Sequence, residues 1–498
     1  MSTDPLHKVI HACRFTEAPD LDVLNLSGLT DIQWRADRCT PSSILCFQRF
    51  DDGRTDAEII ERYLARSAFG ALVINRPLGA DQESGMSQAK SSQLEPLTGR
   101  PVFVTAPDAW GETLERLCDH FYPAGPAQWR IAGVTGTNGK TTTIKYLEAI
   151  LLAAGRKVLS IGTLGLSLNG QPLTETGFTS PPYIELRRIL SDCRAEADTL
   201  VMEVSSHALH QGRVQGLRFA AAAWTNFSQD HLDYHGDEAS YFAAKAMILD
   251  QLAEGVPLLT TSAEVERRLR LKPEPAVPVM RIEAAPIAPA ALRARPFLAL
   301  SFNRANYALA CALATRLLGA EPEAPWRALQ PVAGRFDCFV HRQHSIVIDF
   351  AHTPDALENL LGAIREAFPQ AKILTLFGCG GDRDRSKRPL MGAAVCRGSD
   401  QVILTSDNPR FEDPRRIAND SLQGMTQCNP APTVILDRAA AIARLFERLA
   451  DAPADESWVA LIAGKGHESY IDQNGVKRPY SDRAQVLRNL RRLGWGDT

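Results

Sequence analysis

The sequence predicts an α/β protein of three domains, two of them built on parallel sheets. Three observations lead there. From Arg130 onward, apolar β-rich runs alternate with helical stretches, the pattern of repeated βαβ units. The alternation breaks near Pro331 and then resumes, which marks two separate units. The 498 residues also suffice for about three domains of ordinary size.

Residues 1–105 mix short apolar runs with turn signals and read as a small α/β domain. The polar stretch from Ala80 to Pro101 reads as an exposed connection within it or at its edge. In residues 106–332 the expected strands are RIAGV (130–134), KVLSIGT (157–163), TLVMEV (199–204), AAAWT (221–225) and PLLTT (257–261). A helix should start at Thr141, and helical stretches run over Tyr307–Gly319 and Trp326–Gln330. Residues 333–498 repeat the pattern with SIVIDF (345–350), KILTLF (372–377), QVILTS (401–406), TVIL (433–436) and WVALIAG (458–464), a Rossmann-like parallel sheet.

Composition narrows the class of function. Hydrophobic residues at 45% and charged residues at 23% exclude a mainly disordered chain and a collagen-like one. No apolar run reaches the ~20 residues of a membrane span. The first residues lack a charged region followed by an apolar one, so the expected compartment is the cytoplasm. A net charge of -3, from 55 basic and 58 acidic residues, gives no reason to expect nucleic acid or an anionic membrane as partner. The ten cysteines are scattered with no C-x-x-C pair, and all are read as reduced core residues. Cys379, in a glycine-rich loop, is the one whose reactivity is worth checking.

The strongest motif is GVTGTNGKTTT, Gly133 to Thr143. It follows a strand and opens a helix, where backbone N–H groups and the helix N-terminus together favour an anion. Lys140 would reach the β/γ-phosphates and Thr141 would hold Mg²⁺ through its hydroxyl. Val134 stands where the strict G-x-x-x-x-G-K-[ST] pattern has its first glycine, so this is a shorter variant of that loop. TLVMEVSSHAL then places Glu203 and Ser205 at a strand's C-terminal end, the ligand edge of an open α/β sheet. Glu203 there is either a Mg²⁺ ligand or a capping carboxylate. The next segment crowds Asp230, His231, Asp233, His235 and Asp237 into one loop before a helix carrying Lys245. Read alone, that loop is a solvated acidic turn or a metal site, and Lys245 is a surface lysine.

These motifs together carry a resemblance. GTNGKTTT, EVSSHAL with QGRV, TNFSQDHLDYHGD with its AAK, GRFD, DFAHTPDAL, FGCGGDRDRSKRPLMG, TSDNPRFEDP and AGKGHE occur in that order between Arg130 and Val486. The chain resembles a Mur ligase, and DNPR resembles the subgroup that adds meso-diaminopimelate as third residue of the UDP-N-acetylmuramoyl peptide.

The resemblance implies ATP and Mg²⁺ as cofactors and an acyl-phosphate route to an amide bond. ATP would be bound by Gly136, Thr137, Asn138, Gly139, Lys140, Thr141 and Thr142, with Asn303 and Asn306 of SFNRAN nearby. Arg335, Asp349 and His352 would reach it from the C-terminal domain. Thr141, Glu203, His231 and Lys245 match the metal set, with Lys245 carbamylated, and Lys140, Glu203, His231, Lys245 and Arg335 the catalytic set. The acceptor peptide would meet Thr179, Ser180, Ser205, Gln211 and Arg213. The incoming amino acid would meet Arg383, Asp407, Asn408, Arg410, Gly464 and Glu468. Arginines suit its carboxylates and acidic side chains its ammonium groups. Lysine in its place would leave Arg410 unpaired, which discriminates against it. Arg385 and Lys387 read as solvated loop residues. The family's habit implies a monomer acting on small molecules.

The N-terminal domain departs from the pattern. Ala36-Asp37-Arg38 replaces the family's D-S-R, Ser42 or Ser43 replaces a glycine, and Phe50 or a neighbour replaces another before Asp52-Gly53. A side chain where a glycine stood blocks close backbone approach. Leu300 also replaces a glycine before Asn303. The domain therefore either binds the same UDP-sugar through altered residues or serves an acceptor without UDP in a specialised peptide pathway. Two rivals remain. A folylpolyglutamate synthetase would lack DNPR and GKGHE. A non-catalytic nucleotide-binding regulator would have lost Lys140, Glu203, His231 or Lys245.

Overall fold

The structure is a computed structural model that describes residues 4–49, 55–78, 99–106, 108–174, 177–271, 278–284 and 287–495. The chain forms two compact units. One comprises Met1–Ile131, Ser180–Leu200 and His207–Arg218, the other Ala132–Thr179, Val201–Ser206 and Phe219–Thr498. The α/β class read from the sequence is the class observed, on three principal sheets.

The first sheet holds β1 (Phe15–Glu17), β2 (Asp31–Gln33), β3 (Ser43–Phe47), β4 (Ala71–Ile74) and β5 (Val102–Thr105) in the order β1-β5-β4-β3-β2. Strands β2 to β5 pair in parallel and β1 closes the edge antiparallel to β5. Ile44, Val73 and Phe103 on one face pack with Leu114, Leu117 and Cys118 of the helix Trp110–Phe121. Each fully buried side chain of this size contributes about 2 kcal/mol of transfer free energy. Ala36–Arg38 forms a single 3₁₀ turn, in which Asp37 pairs with Arg35 at 2.5 Å on the surface. The loop through Phe50, Asp52 and Gly53, and most of the polar stretch from Ala80, lie outside the described residues.

The second sheet holds β6 (Arg130–Thr135), β7 (Val158–Gly162), β8 (Gly165–Leu168), β9 (Gln171–Thr174), β10 (Thr199–Glu203), β11 (Phe219–Trp224), β12 (Leu258–Thr260) and β13 (Val279–Arg281). Their order is β13-β12-β11-β6-β10-β7-β8-β9. β11, β12 and β13 run parallel. Strands β8 and β9 were not among those expected from the sequence, and they extend β7 as an antiparallel meander. The cause is local. Asn169 and Gly170 both take positive φ between β8 and β9, the two-residue turn that matches strand twist. On the helical layer, Leu147 and Ile150 of Lys140–Ala153 pack with Leu309 and Leu313 of Ser301–Leu318.

The third sheet holds β14 (Asp337–His341), β15 (His344–Asp349), β16 (Lys372–Phe377), β17 (Gln401–Leu404), β18 (Thr433–Val434) and β19 (Trp458–Ala463) in the order β14-β15-β19-β16-β17-β18. The five strands expected from the sequence are all present and parallel. The additional β14 is antiparallel to β15 at the edge. Beyond the sheet, β20 (Tyr470–Gln473) and β21 (Val476–Pro479) form a hairpin around a second Asn-Gly turn, Asn474-Gly475.

The cysteines also need correction. Cys396 and Cys428 are joined in a disulfide across 32 residues of sequence, because the helix Lys387–Gly398 and the loop after Leu422 meet in the fold. The other eight are free, with Cys46, Cys118, Cys193 and Cys379 buried and Cys338 exposed. Burial pushes the Cys379 thiol up to about 11, against a weaker lowering by the Ser421 hydroxyl. A thiol so protonated is a poor nucleophile, which removes the suspicion of reactivity.

Candidate active site

One cavity of about 330 Å³ in the larger unit gathers most of the residues singled out from the sequence. Its lining includes Thr137, Asn138, Gly139, Lys140, Thr141, Thr179, Glu203, His231, Arg335, His352, Arg383, Asp407, Asn408, Arg410, Gly464 and Glu468.

The phosphate loop is the turn between β6 and the helix Lys140–Ala153. Gly136 has φ 139° and Gly139 has φ 84°. A Cβ on Gly136 would lie 1.9 Å from the Thr225 Oγ1, and one on Gly139 2.5 Å from the Asn306 Oδ1. Only glycine serves at either place. The loop is braced from outside. Asn138 N donates to the Asn226 Oδ1 at 2.9 Å, Thr137 Oγ1 donates to Ser228 O at 3.1 Å, and Thr143 Oγ1 donates to the Asn306 Oδ1 at 3.3 Å. Lys140 Nζ donates to Gly136 O and Thr137 O, each at 2.8 Å. Burial lowers its pKa, against the pull of Glu203 and Asp230. Thr142 is buried on the same first turn. Asn303 turns away, donating to Phe297 O at 3.0 Å.

Lys245 is not on the surface. It is 1% exposed, and its Nζ donates to Gly136 O at 2.8 Å and lies 4.6 Å from the Tyr241 ring centre. Burial, with Lys140 adding to it, holds its pKa well below the ordinary lysine value. The surface reading fails because the helix Glu238–Ala246 turns this face inward, with Tyr241, Phe242 and Ala244 buried beside it.

Glu203 ends β10 with its carboxylate accepting from Thr163 N at 2.8 Å and Thr163 Oγ1 at 3.2 Å. Arg335 reaches the same region, donating from Nη2 to the Thr141 Oγ1 at 3.3 Å and lying over the Phe350 ring. Asp349 accepts from the backbone of Phe336 and Ala351, each at 2.8 Å. Burial raises its pKa, against Arg335 and these amides. His352 is pushed down to about 4 by burial and by Lys387, so its imidazole is neutral at pH 7.

Lys387 corrects a second expectation. Arg385 is exposed and pairs with Glu412, as a solvated loop residue would. Lys387 instead is buried, lines the cavity and lies 3.4 Å from Asp230. Burial would raise the Asp230 pKa, but Lys387, His231 and His352 outweigh it and hold the carboxyl below its usual range. Asp355, also missed from sequence, accepts from both Asn138 Nδ2 and Ser228 Oγ at 3.1 Å. Its position at the first turn of the helix Pro354–Ala367 was the available signal.

In the DNPR segment, Arg410 has φ 51° and donates from Nη1 to Gly381 O at 2.6 Å. Lys465 of AGKGHE was overlooked in the sequence. It is fully buried, and its Nζ donates to the Asn408 Oδ1 at 3.0 Å and the Glu468 Oε2 at 2.9 Å, with Asp407 at 3.6 Å. Two carboxylates thus surround one internal ammonium, which leaves one negative charge for an ammonium brought by a ligand. Its place between two glycines directly after a strand was the available signal, since a lysine buried there needs charged partners.

The acceptor residues divide. Thr179 lines the cavity, its hydroxyl 3.2 Å from that of Thr163. Ser205 is half-buried two residues after Glu203. In the other unit, Arg213 donates to Ser180 O at 2.9 Å and to the Gln211 Oε1 at 2.6 and 2.9 Å, so these three form one group. Among the described residues, no three His, Cys, Asp or Glu side chains cluster into a metal site by themselves.

Residues 134–287 match the Mur ligase middle domain and residues 334–466 the Mur ligase glutamate ligase domain. A UDP-N-acetylmuramoyl-L-alanyl-D-glutamate--2,6-diaminopimelate ligase of Solibacter usitatus is 39% identical over 398 residues, covering 74% of this chain and 78% of its own. A solved structure of a ligase with that same name superposes at TM-score 0.55 with 27% identity, covering 94% of this chain and 95% of the other. A Mycobacterium tuberculosis folylpolyglutamate synthase, solved with ADP and AMPPCP, shares the fold alone at 17% identity and TM-score 0.56, covering 77% of this chain and 95% of its own. The phosphate loop, the guanidinium facing it from the next sheet and these matches converge: the chain belongs to the Mur ligase family.

Proposed function

We propose that the protein is an ATP-dependent ligase that joins meso-diaminopimelate to the D-glutamate carboxylate of UDP-N-acetylmuramoyl-L-Ala-D-Glu. The observation that carries this reading is the shared cavity. Lys140 and Arg335, suited to phosphates, line it together with Arg383, Arg410, Asp407 and Glu468, suited to a diamino dicarboxylic acid.

The acceptor carboxylate attacks the γ-phosphorus of ATP and ADP leaves. The amino group of the incoming amino acid, having lost its proton, then attacks the acyl carbon and inorganic phosphate leaves. Lys140 and Arg335 offset the charge carried by the transferring group. The acyl phosphate has to be kept from water, so closure of the site is part of the mechanism.

Oxygen donors suit Mg²⁺, and the Thr141 hydroxyl and Glu203 carboxylate supply them beside His231 on the cavity wall. When bound, Mg²⁺ supplies charge neutralisation to the phosphates. A carbamate on Lys245 would form when its neutral amine adds to carbon dioxide and a proton is released. The depressed pKa of this buried amine favours that form. We assign nucleotide binding to residues 106–332, amino acid binding to 333–498 and acceptor binding to 1–105, in a cytoplasmic monomer.

A second reading has its own support. At the position of the family's D-S-R, Asp37 is engaged by Arg35 and no serine is present. That favours an acceptor without UDP. Phosphate release from ATP with meso-diaminopimelate tests both readings, using UDP-N-acetylmuramoyl-L-Ala-D-Glu in one reaction and free L-Ala-D-Glu in the other. Turnover only with the nucleotide sugar supports the first reading. Turnover only with the free dipeptide supports the second. Turnover with neither overturns the first reading and moves the search to other acceptors without UDP.

A further inference from the structure

Resting on the ligase reading above, we infer that Arg438 and Asp482 are positioning residues that fix the spacing of the amino acid site. Asp407 and Asn408 follow the end of β17, and Gly464 to Glu468 follow the end of β19. These strands are not neighbours, because β16 lies between them. No ladder hydrogen bond therefore ties the two loops together.

Lys465 joins the loops further out through Asn408, and Arg438 ties them at their origins. It is the first residue of the helix Arg438–Ala450 and its side chain is fully buried. Its Nη2 donates to Ala463 O at 2.9 Å, and its Nη1 lies 3.4 Å from Ser406 O. These carbonyls belong to the residues immediately before Gly464 and Asp407. One planar guanidinium thus spans both loop origins. Asp482, equally buried at the first turn of Asp482–Arg492, holds the guanidinium in place. It accepts from Nε at 2.8 Å and from Nη2 at 2.7 Å. The two loops meet here: a Cβ on Gly464 would lie 2.7 Å from the Asp407 Oδ2, so the Asp407 side chain occupies space that only a glycine leaves open. Lysine carries a point charge without the fork geometry and cannot make all four bonds.

The test uses the full-length protein in the phosphate-release assay, with Arg438→Lys and the double variant Arg438→Met/Asp482→Leu. Breaking one half of a buried pair destabilises a protein, whereas replacing both halves with apolar groups is often neutral. The double variant therefore separates folding from positioning. We expect the KM for meso-diaminopimelate to rise on the order of tenfold or more in both, the penalty of displaced binding groups. The KM for ATP should stay within about twofold and the Tm of the double variant near wild type. A folded double variant with an unchanged amino acid KM overturns the inference. So does an equal rise in both KM values. A wild-type enzyme that works beside unaffected variants sinks this inference alone. A wild-type enzyme that turns over no diaminopimelate removes the functional reading and the inference with it.

Discussion

The Lys387 ammonium lies 3.4 Å from the Asp230 carboxylate, with side-chain exposures of only 10% and 7%. The two residues are 157 positions apart in sequence. One follows β11 and the other opens the helix Lys387–Gly398, so the pair joins the two α/β halves of the larger unit. Asp230→Asn leaves the lysine charge buried without its partner and should cost about 3–5 kcal/mol. Asp230→Asn with Lys387→Met should recover part of that loss. Urea unfolding of these two variants and of Lys387→Met alone measures it, and additive losses would show that the pair is not coupled.

Gly139→Ala should weaken ATP binding by about tenfold or more, equivalent to about 1.4 kcal/mol. The new Cβ meets the Asn306 Oδ1 at 2.5 Å on a backbone with φ 84°. Adding Asn306→Ala removes the collision but not the strained φ, so only part of the affinity should return. Equilibrium binding of ADP reads both. Full recovery would mean that the collision alone matters.

Lys245→Ala should lower kcat on the order of 100-fold, the effect of losing one charge-stabilising group, and a short-chain carboxylate should restore part of it. Carbon-13 NMR with labelled bicarbonate should give a carbamate signal in the wild type that the variant lacks. Undiminished turnover would leave Lys245 a structural brace of Gly136.

Arg410→Lys and Asp407→Ala should raise the KM for the diamino acid far more than the KM for ATP. Both residues line the cavity beside Glu468, and neither hydrogen-bonds to the phosphate loop. Equal effects on both constants would show that the DNPR segment serves the fold rather than the amino acid.

Stability should fall as pH drops from about 6.5 towards 4. Burial pushes both His352 and His467 down to about 4. In that window the unfolded chain binds protons that the folded chain does not, so stability rises with pH. Asp230 adds to the fall below its unfolded value of ~3.9, because its folded pKa is lower still. Thermal unfolding across this range checks the sign. His352→Gln should flatten the slope, and an unchanged slope would place the proton uptake elsewhere.

Much of the site was legible because its signals are local. GTNGKTTT places a strand end, a glycine turn and a helix start within a few residues, and hydrophobic periodicity locates the parallel strands around it. The hairpins at Asn169-Gly170 and Asn474-Gly475 were equally legible but were passed over. Their short, partly exposed strands carry a weak apolar pattern, and only the turn dipeptide announces them.

By itself, then, the sequence determined the α/β class and the phosphate loop and singled out most of the residues that line the cavity, since each signal depends on spacing within one segment. Only the tertiary structure decided which charges are buried together. Lys387 meets Asp230, Lys465 meets Asn408 and Glu468, and Arg438 meets Asp482. It also joined Cys396 to Cys428 and turned Lys245 inward. The physical reason is common to all of them. A lysine, arginine or cysteine has the same letter whether solvated or buried, and its partner is set by where distant segments return to the same sheet edge.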